Sequence, residues 1–423
     1  MDKRAIRIVI IGAGSTYTPE LIEGFIENSE KLRIRELALM DIDGRKLTIV
    51  GNMAVRMLRR AGLSWEVGFY TDYDCIKDAD YVLTQIRVGQ MDARILDERI
   101  PLKYGLIGQE TCGIGGFFKA LRTIPVVYEI ADRMAAFAPN AVMLNFTNPS
   151  GILAQALSQK NVKSVGLCNC PYAMEKSVKE TLGLPGADVE YVGLNHLSWL
   201  TAIRYAGKDY LSDALRDGVN GKAMKNIPAN GFDREILQAV RGIPSTYLEY
   251  YYFRSEKLKK LQGERLSRGE VCKALEERLL AQYSDPELCV KPPELEQRGG
   301  AYYSKAAVSL LEAIENDRGS RHVVNIKNGN ALPFMREDDV VEVAAAVGRG
   351  GLTPIRVEGF DNGHIIGMMR AMKDYERMAV KAAESGSKED AIGALMLNPL
   401  CGDYHAVKAC YEDMYARHRK YLK

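Results

Sequence analysis

The chain has 423 residues, 47% apolar and 26% charged, enough for two or three domains with substantial cores, which excludes a disordered or fibrous protein. Its 57 Lys and Arg nearly cancel 55 Asp and Glu, for a net charge of +2, so no global field points to nucleic acid or a membrane surface and a small-molecule partner is expected. Eight scattered cysteines without disulfide-dense spacing point to a reducing compartment, and the cytoplasm is the expected location.

In chain order, "RIVIIG" opens as a strand, since its apolar stretch is too short for an export signal and no run reaches the roughly 18 residues of a membrane span. It exits into Gly12-Ala13-Gly14-Ser15, followed by "TPELIEGFIENS" with apolar spacings of three and four, a helix with Thr18 as N-cap and Pro19 as first residue. Glycines in a strand–turn–helix let the backbone approach a pyrophosphate, whose charge the helix N-terminus attracts. Tyr17 stands where the third glycine of the full fingerprint belongs. Asp41, at the end of "ELALMD", is placed to accept hydrogen bonds from both adenosine ribose hydroxyls, which favours NAD over NADP. A structural turn beside a surface aspartate is the plainer reading of the same residues.

The alternation continues with "DYVLTQI", the helical "KALRTIPVVYEIADRMAAF", and the strands "NAVMLNF" and "VKSVGLC". This is a parallel, doubly wound α/β pattern of Rossmann type. Asn145 and Asn148 in "LNFTNPSG" lie at a strand's carboxyl end, where such folds bind ligands, although asparagine before proline also serves as an ordinary turn. Cys168 ends "KSVGLC" and His196 ends "EYVGLNH"; both side chains are expected at the sheet edge that would hold the nicotinamide. Thiolate and imidazole are transition-metal ligands, and two protein ligands leave positions open for substrate oxygens. Spacing alone does not distinguish that pair from core residues, and Cys170 reads as a spectator.

Beyond about residue 190 the alternation gives way to charged helical stretches such as "EVCKALEERLLAQYS" and to Gly- and Pro-containing loops. The expected division is a Rossmann-type dinucleotide domain over 1–190 and a mixed α+β domain over 191–423 that carries catalysis, substrate and oligomer contacts.

The blocks "GAGS", "RILDERIPLKYGLIGQET", "LRTIP", "NFTNPSG", "GLCNCP", "GLNHLSW", "IPSTYLEYYY" and "RGGAYYS" resemble glycoside hydrolase family 4, nearly end to end, and within it the 6-phospho-β-glucosidases. The resemblance implies a lactate/malate dehydrogenase-like NAD domain, a divalent metal, usually manganese, and hydrolysis of phosphorylated disaccharides or glucosides; a homodimer or homotetramer is the expected assembly. It implies a redox cycle in which NAD oxidises C3, the acidified C2 proton is removed, the C1 oxygen leaves, water adds and the hydride returns. This family departs from the two-carboxylate rule of glycosidases.

Carried over by residue, the resemblance makes Cys168 and His196 the metal ligands, Tyr247 the base, and Glu110 a neighbour that tunes it. Gly12, Gly14, Ser15, Asp41 and Asn145 would contact NAD. Arg94, Asn148, Asn169 and Arg268 would hold the sugar or its phosphate, although "GERLSRGE" also offers Arg265. Members acting on α-linked substrates resemble C-D-x-P where this chain has Asn169, which cannot donate a proton as an acid; that matches β-type members and leaves the general acid unidentified. A 6-phospho-α-glucosidase, a simple NAD-dependent dehydrogenase and a non-catalytic NAD or sugar-phosphate binder are the other readings.

Overall fold

The computed structural model describes residues 5–217, 231–299 and 302–422. Thirteen strands among them join one sheet. The first six are β1 (Ile6–Ile11), β2 (Ile34–Met40), β3 (Glu66–Tyr70), β4 (Tyr81–Thr84), β5 (Val142–Asn145) and β6 (Lys163–Gly166). They pair in parallel in the order β3-β2-β1-β4-β5-β6. This is the doubly wound half that the sequence pattern predicts. β3 is an addition to the predicted strands: it is an edge strand with no fully buried residue, so it lacks the continuous apolar run that marks its neighbours.

The other seven are β7 (Asp188–Leu194), β8 (Leu197–Tyr205), β9 (Lys208–Asp209), β10 (Ile243–Pro244), β11 (Ser320–Lys327), β12 (Val340–Gly348) and β13 (Gly351–Pro354). They extend the same sheet with antiparallel pairs in the order β6-β11-β12-β7-β8-β10, with β9 on β8 and β13 on β12. The fold is therefore α/β with a mixed antiparallel extension. The sheet is unbroken across residue 190, which lies inside β7.

Helices cover both faces. β1 is buried throughout, with Val9 and Ile11 turned to one apolar cluster and Ile8 and Ile10 to the other, as a strand inside a three-layer sandwich requires. The helices Gly113–Phe137 and Gly363–Ser385 share the first cluster; Thr18–Glu27, Gly44–Arg60, Arg268–Tyr283 and Tyr303–Glu315 share the second. The long helix starts at Gly113, ahead of the predicted Lys119, because glycines that read as loop open it. Behind it the C-terminal helix Tyr404–His418 delivers His418 to Asp97 at 3.1 Å, and Asp97 also takes two hydrogen bonds from Arg122, at 3.0 and 2.5 Å, all three being fully buried. That trio ties this helix to the helices Gln90–Lys103 and Gly113–Phe137. Among the described residues no helix is long and apolar enough to cross a membrane.

Candidate functional site

The glycine turn follows β1 directly. Gly12 has φ +89°, and a Cβ there would lie 2.9 Å from the Gln85 carbonyl, so both conformation and space call for glycine. The Gly14 N–H donates to Asp41 Oδ2 at 2.9 Å, 27 residues away, and a Cβ on Gly14 would meet that oxygen at 2.8 Å. Asp41 Oδ1 accepts from the Asp43 N–H at 2.9 Å. Burial pushes the Asp41 carboxyl above its usual range, while these two amide bonds pull it back. Ser15 Oγ takes the Tyr17 N–H at 3.2 Å and an Arg298 N–H at 3.3 Å, so a cation from beyond residue 190 reaches the turn.

The predicted N-cap at Thr18 is corrected. Tyr17 occupies the cap position without a side-chain bond, because the Thr18 hydroxyl turns back to Ala13 O at 2.8 Å and accepts from Gln85 Nε2 at 2.8 Å. Asn145, at the end of β5, is wholly buried: its Oδ1 accepts from Thr84 Oγ1 at 2.7 Å, and its Nδ2 donates to Thr147 O at 3.1 Å. It shapes the floor of the strand exit. Asn148 precedes a cis bond to Pro149, and its Oδ1 accepts from the Ser150 N–H at 3.4 Å, the turn chemistry that asparagine before proline allows.

Cys168 and His196 leave strands that run in opposite directions. Three antiparallel pairings separate β6 from β7, so β7 runs opposite to β6. Gly166, Asn325, Glu342 and Gly193 are successive partners across that row, and Cys168 and His196 each stand just past one of its ends. The His196 ring lies on the Tyr247 ring with centroids 3.5 Å apart and planes at 8°. Cys168 packs against the cluster that contains Tyr247, and its Sγ accepts from the Cys170 N–H at 3.4 Å. The structure thus brings Cys168, His196 and Tyr247 together.

Burial pushes His196 down to about 3, which keeps its imidazole neutral, and pushes the Cys168 thiol up, with Glu342 adding to the rise. Tyr247 is 9% exposed, and burial raises its phenol well above the ordinary value, with Cys168 and Glu110 among the groups opposing its ionisation. His196 Nδ1 lies 3.2 Å from Thr111 Oγ1, and among the described residues Nε2 has no hydrogen-bond partner. No group of three or more His, Cys, Asp or Glu able to hold a metal occurs among the described residues. A neutral imidazole with a bare nitrogen and one thiol fit a divalent transition metal that takes its other ligands from outside the protein.

Glu110 anchors a charged cluster one step away. It pairs with Arg87, with Arg94 at 3.1 Å and with Lys119 at 2.8 Å. Burial alone would raise its carboxyl, but these three cations outweigh burial and hold it well below the usual range. Lys119 is pushed down to about 7, by burial first and then by Arg87. Arg94 also donates to Glu98 Oε1 at 2.8 Å, and Glu98 Oε2 accepts from the Gly269 N–H at 2.6 Å, which ties Arg94 to the start of the helix carrying Arg268. The Arg268 guanidinium donates to Gln297 O at 2.8 Å and Arg298 O at 2.9 Å. Asn169 stands at the N-cap of the helix Cys170–Leu182 without a side-chain cap bond.

Several neighbours of the site are not evident from sequence. Arg87 lies just past the end of β4, the position where such sheets bind ligands, and so carried a usable signal. Lys119, Arg298 and Thr111 carried none. Glu342, 1% exposed on β12, accepts from Asn195 and Asn325 at 3.1 Å each and from Tyr191 at 3.0 Å, and burial pushes it up to about 7. It interrupts an otherwise apolar strand, and a lone glutamate there carries no signal of a buried role.

A dinucleotide-type α/β sheet and a glycine turn with its acid give the chain a dehydrogenase-like fold, which carries a thiol, an imidazole and a phenol beside buried cations. A malate dehydrogenase from Cryptosporidium parvum shares the fold, with a TM-score of 0.56 at 14% identity over 90% of this chain and 100% of that one. Residues 7–184 match the profile described as Family 4 glycosyl hydrolase, and residues 191–401 the one for its C-terminal domain. A "Probable 6-phospho-beta-glucosidase" of Bacillus subtilis is 41% identical over 99% of this chain and 98% of its own. The 6-phospho-beta glucosidase of Thermotoga maritima, solved with manganese, NAD+ and glucose-6-phosphate, superposes with a TM-score of 0.89 at 33% identity, covering 99% of this chain and 100% of that one. The chain belongs to glycosyl hydrolase family 4.

Proposed function

We propose that this protein hydrolyses 6-phospho-β-glucosides and releases glucose 6-phosphate, with NAD and a divalent cation, Mn²⁺, as its cofactors. The observation that carries the reading is the stack of His196 on Tyr247 beside Cys168, in one molecule with the Gly12–Gly14 turn and Asp41. Cys168 and His196 hold the cation; Gly12, Gly14, Ser15 and Asp41 hold NAD, with Asn145 bracing the strand exit. When bound, NAD supplies a reversible hydride acceptor for C3 of the sugar, and the cation supplies positive charge against the negative charge that develops on O2 and O3.

The chain's own part is positioning and proton transfer. Tyr247 takes the C2 proton; burial alone keeps its phenol protonated, so its ionisation requires positive charge held by Cys168 and His196. Arg87, Arg94 and Lys119 outnumber their carboxylates Glu110 and Glu98 by one, a cationic excess that suits a dianionic phosphate. Arg94, Asn148, Asn169 and Arg268 bind the sugar and its phosphate. The Asn169 carboxamide has no acidic proton, so it acts as a hydrogen-bonding group, which favours β- over α-linked substrates. Residues 1–190 form the NAD-binding unit; residues 191–423 complete the substrate side and carry the contacts of a homodimer or homotetramer, which light scattering would measure. The cytoplasm is the proposed location.

The test is a panel of phosphorylated and unphosphorylated nitrophenyl α- and β-glucosides with NAD and Mn²⁺. Hydrolysis confined to the phosphorylated β-glucoside supports the reading. Stoichiometric NADH with no release of nitrophenol would replace it with a dehydrogenase.

A further inference from the structure

We propose that Thr111, oriented by Gln109, is a positioning residue that fixes the tautomer of His196, so that Nδ1 carries the proton and Nε2 is the nitrogen presented to the cation. The inference rests on the reading of His196 as a cation ligand, and it assigns a role to two residues outside the ligand pair.

The chain of donors begins at Gln109. The backbone N–H groups of Thr111 and Cys112 both point at Gln109 Oε1, at 2.6 and 2.7 Å. Two fixed N–H donors require that this atom be the carbonyl end of the amide, which can only accept. Thr111 Oγ1 lies 2.8 Å from the same oxygen, so the hydroxyl spends its single proton there. What remains on Oγ1 is lone-pair density. At 3.2 Å, His196 Nδ1 can then bond to it only as an N–H donor. A neutral imidazole has one N–H, so the lone pair sits on Nε2, which has no partner among the described residues.

The same geometry fixes orientation. Stacking on Tyr247 at 3.5 Å sets the plane of the imidazole, and the Thr111 bond sets its rotation within that plane. The loop that carries Gln109 and Thr111 is itself pinned, because it lies directly on the helix Gly113–Phe137. A Cβ on Gly116 would come within 2.3 Å of Thr111 O, and one on Gly115 within 2.4 Å of Gln109 O. Threonine is thus held where a hydroxyl is wanted, with no slack for the loop to retreat. Partners that orient a metal-binding histidine typically contribute about 10–100-fold to metal affinity.

The experiment compares the full-length wild type with Thr111→Val, Thr111→Ala and Thr111→Ser. Imidazole ¹⁵N NMR of the metal-free protein reads the tautomer, helped by a total of only five histidines. Manganese titration followed by electron paramagnetic resonance reads affinity. The expected result is an Nδ1–H His196 in wild type and Thr111→Ser. In Thr111→Val and Thr111→Ala the tautomers should be mixed, with Mn²⁺ bound about 10–100-fold more weakly. NAD affinity should be unchanged throughout. An Nε2–H tautomer in the wild type, unaltered Mn²⁺ binding in Thr111→Val, or a Thr111→Ser as weak as Thr111→Val would overturn the inference. His196→Asn separates the two readings. If that variant binds Mn²⁺ as the wild type does, the ligand assignment itself fails, while the NMR result still decides the tautomer.

Discussion

His196 and Tyr247 lie face to face, centroids 3.5 Å apart and planes within 8°, although the two residues belong to different turns, one closing β7 onto β8 and the other a 3-10 segment at Thr246–Leu248. The stack holds the phenol proposed as base against the imidazole proposed as cation ligand.

From that stack comes the first prediction. Tyr247→Phe keeps the ring and its packing but removes the oxygen, so kcat/KM should fall by about 10²–10⁴, the usual range for loss of a general base, with NAD and Mn²⁺ affinities near wild type. NMR of product formed by the wild type in D₂O should show deuterium at C2 of glucose 6-phosphate. Protium retained there after complete hydrolysis would rule out the elimination route and the role given to Tyr247.

Loss of the proposed thiol ligand is the second. Chelation should abolish turnover and added Mn²⁺ with a reductant should restore it, because the thiol must be unoxidised to bind. Cys168→Ser should lower Mn²⁺ affinity by at least about tenfold. A Cys168→Ser enzyme fully active in excess EDTA would remove the metal from the site.

The third concerns phosphate recognition. Arg94→Ala removes a buried guanidinium held by Glu98 and Glu110, and Arg268→Ala one anchored on two carbonyls. A charge-assisted bond contributes about 1.5–3 kcal/mol, so each change should cut kcat/KM for the phosphorylated glucoside roughly 10–100-fold while leaving the poor rate on the unphosphorylated glucoside nearly unchanged. Arg94→Lys guards against a folding defect in Arg94→Ala. Equal losses on both substrates would count against a phosphate role.

The fourth uses the sign of a pKa shift. Glu110 is held below its ordinary value of 4.5, so the unfolded chain binds more protons than the folded one below that pH. The stabilisation from Glu110 is therefore fully present above pH 4.5 and is lost as pH falls through the lower folded value. In Glu110→Gln this part of the acid limb should vanish. At pH 7 the variant should lose about 3–5 kcal/mol, because buried Lys119 and Arg94 and partly buried Arg87 lose a carboxylate they share, Arg94 keeping only Glu98. Denaturant midpoints at pH 3.5 and 7 would measure both, and an unchanged acid limb would contradict the assignment.

What the sequence by itself determined is local in the chain. The turn Gly12–Ser15, the strand before it and the acid that follows 27 residues after Gly14 were legible because one βαβ unit encloses them and its periodicity is strong. The family likewise was legible, since its blocks are contiguous runs. The roles carried over with them remain proposals, and no periodicity could have assigned them.

Only the tertiary structure decided how distant segments meet. Nothing in the chain before residue 190 says that β11 and β12 insert between β6 and β7, reverse the direction of β7 and set Gly166, Asn325, Glu342 and Gly193 in one row. That order fixes where Cys168 and His196 stand. The partners of Glu110 and the Gln109–Thr111–His196 relay are equally invisible from spacing, because hydrogen bonds and ion pairs depend on atoms brought within about 3 Å, and sheet order and helix packing, not sequence separation, set those distances.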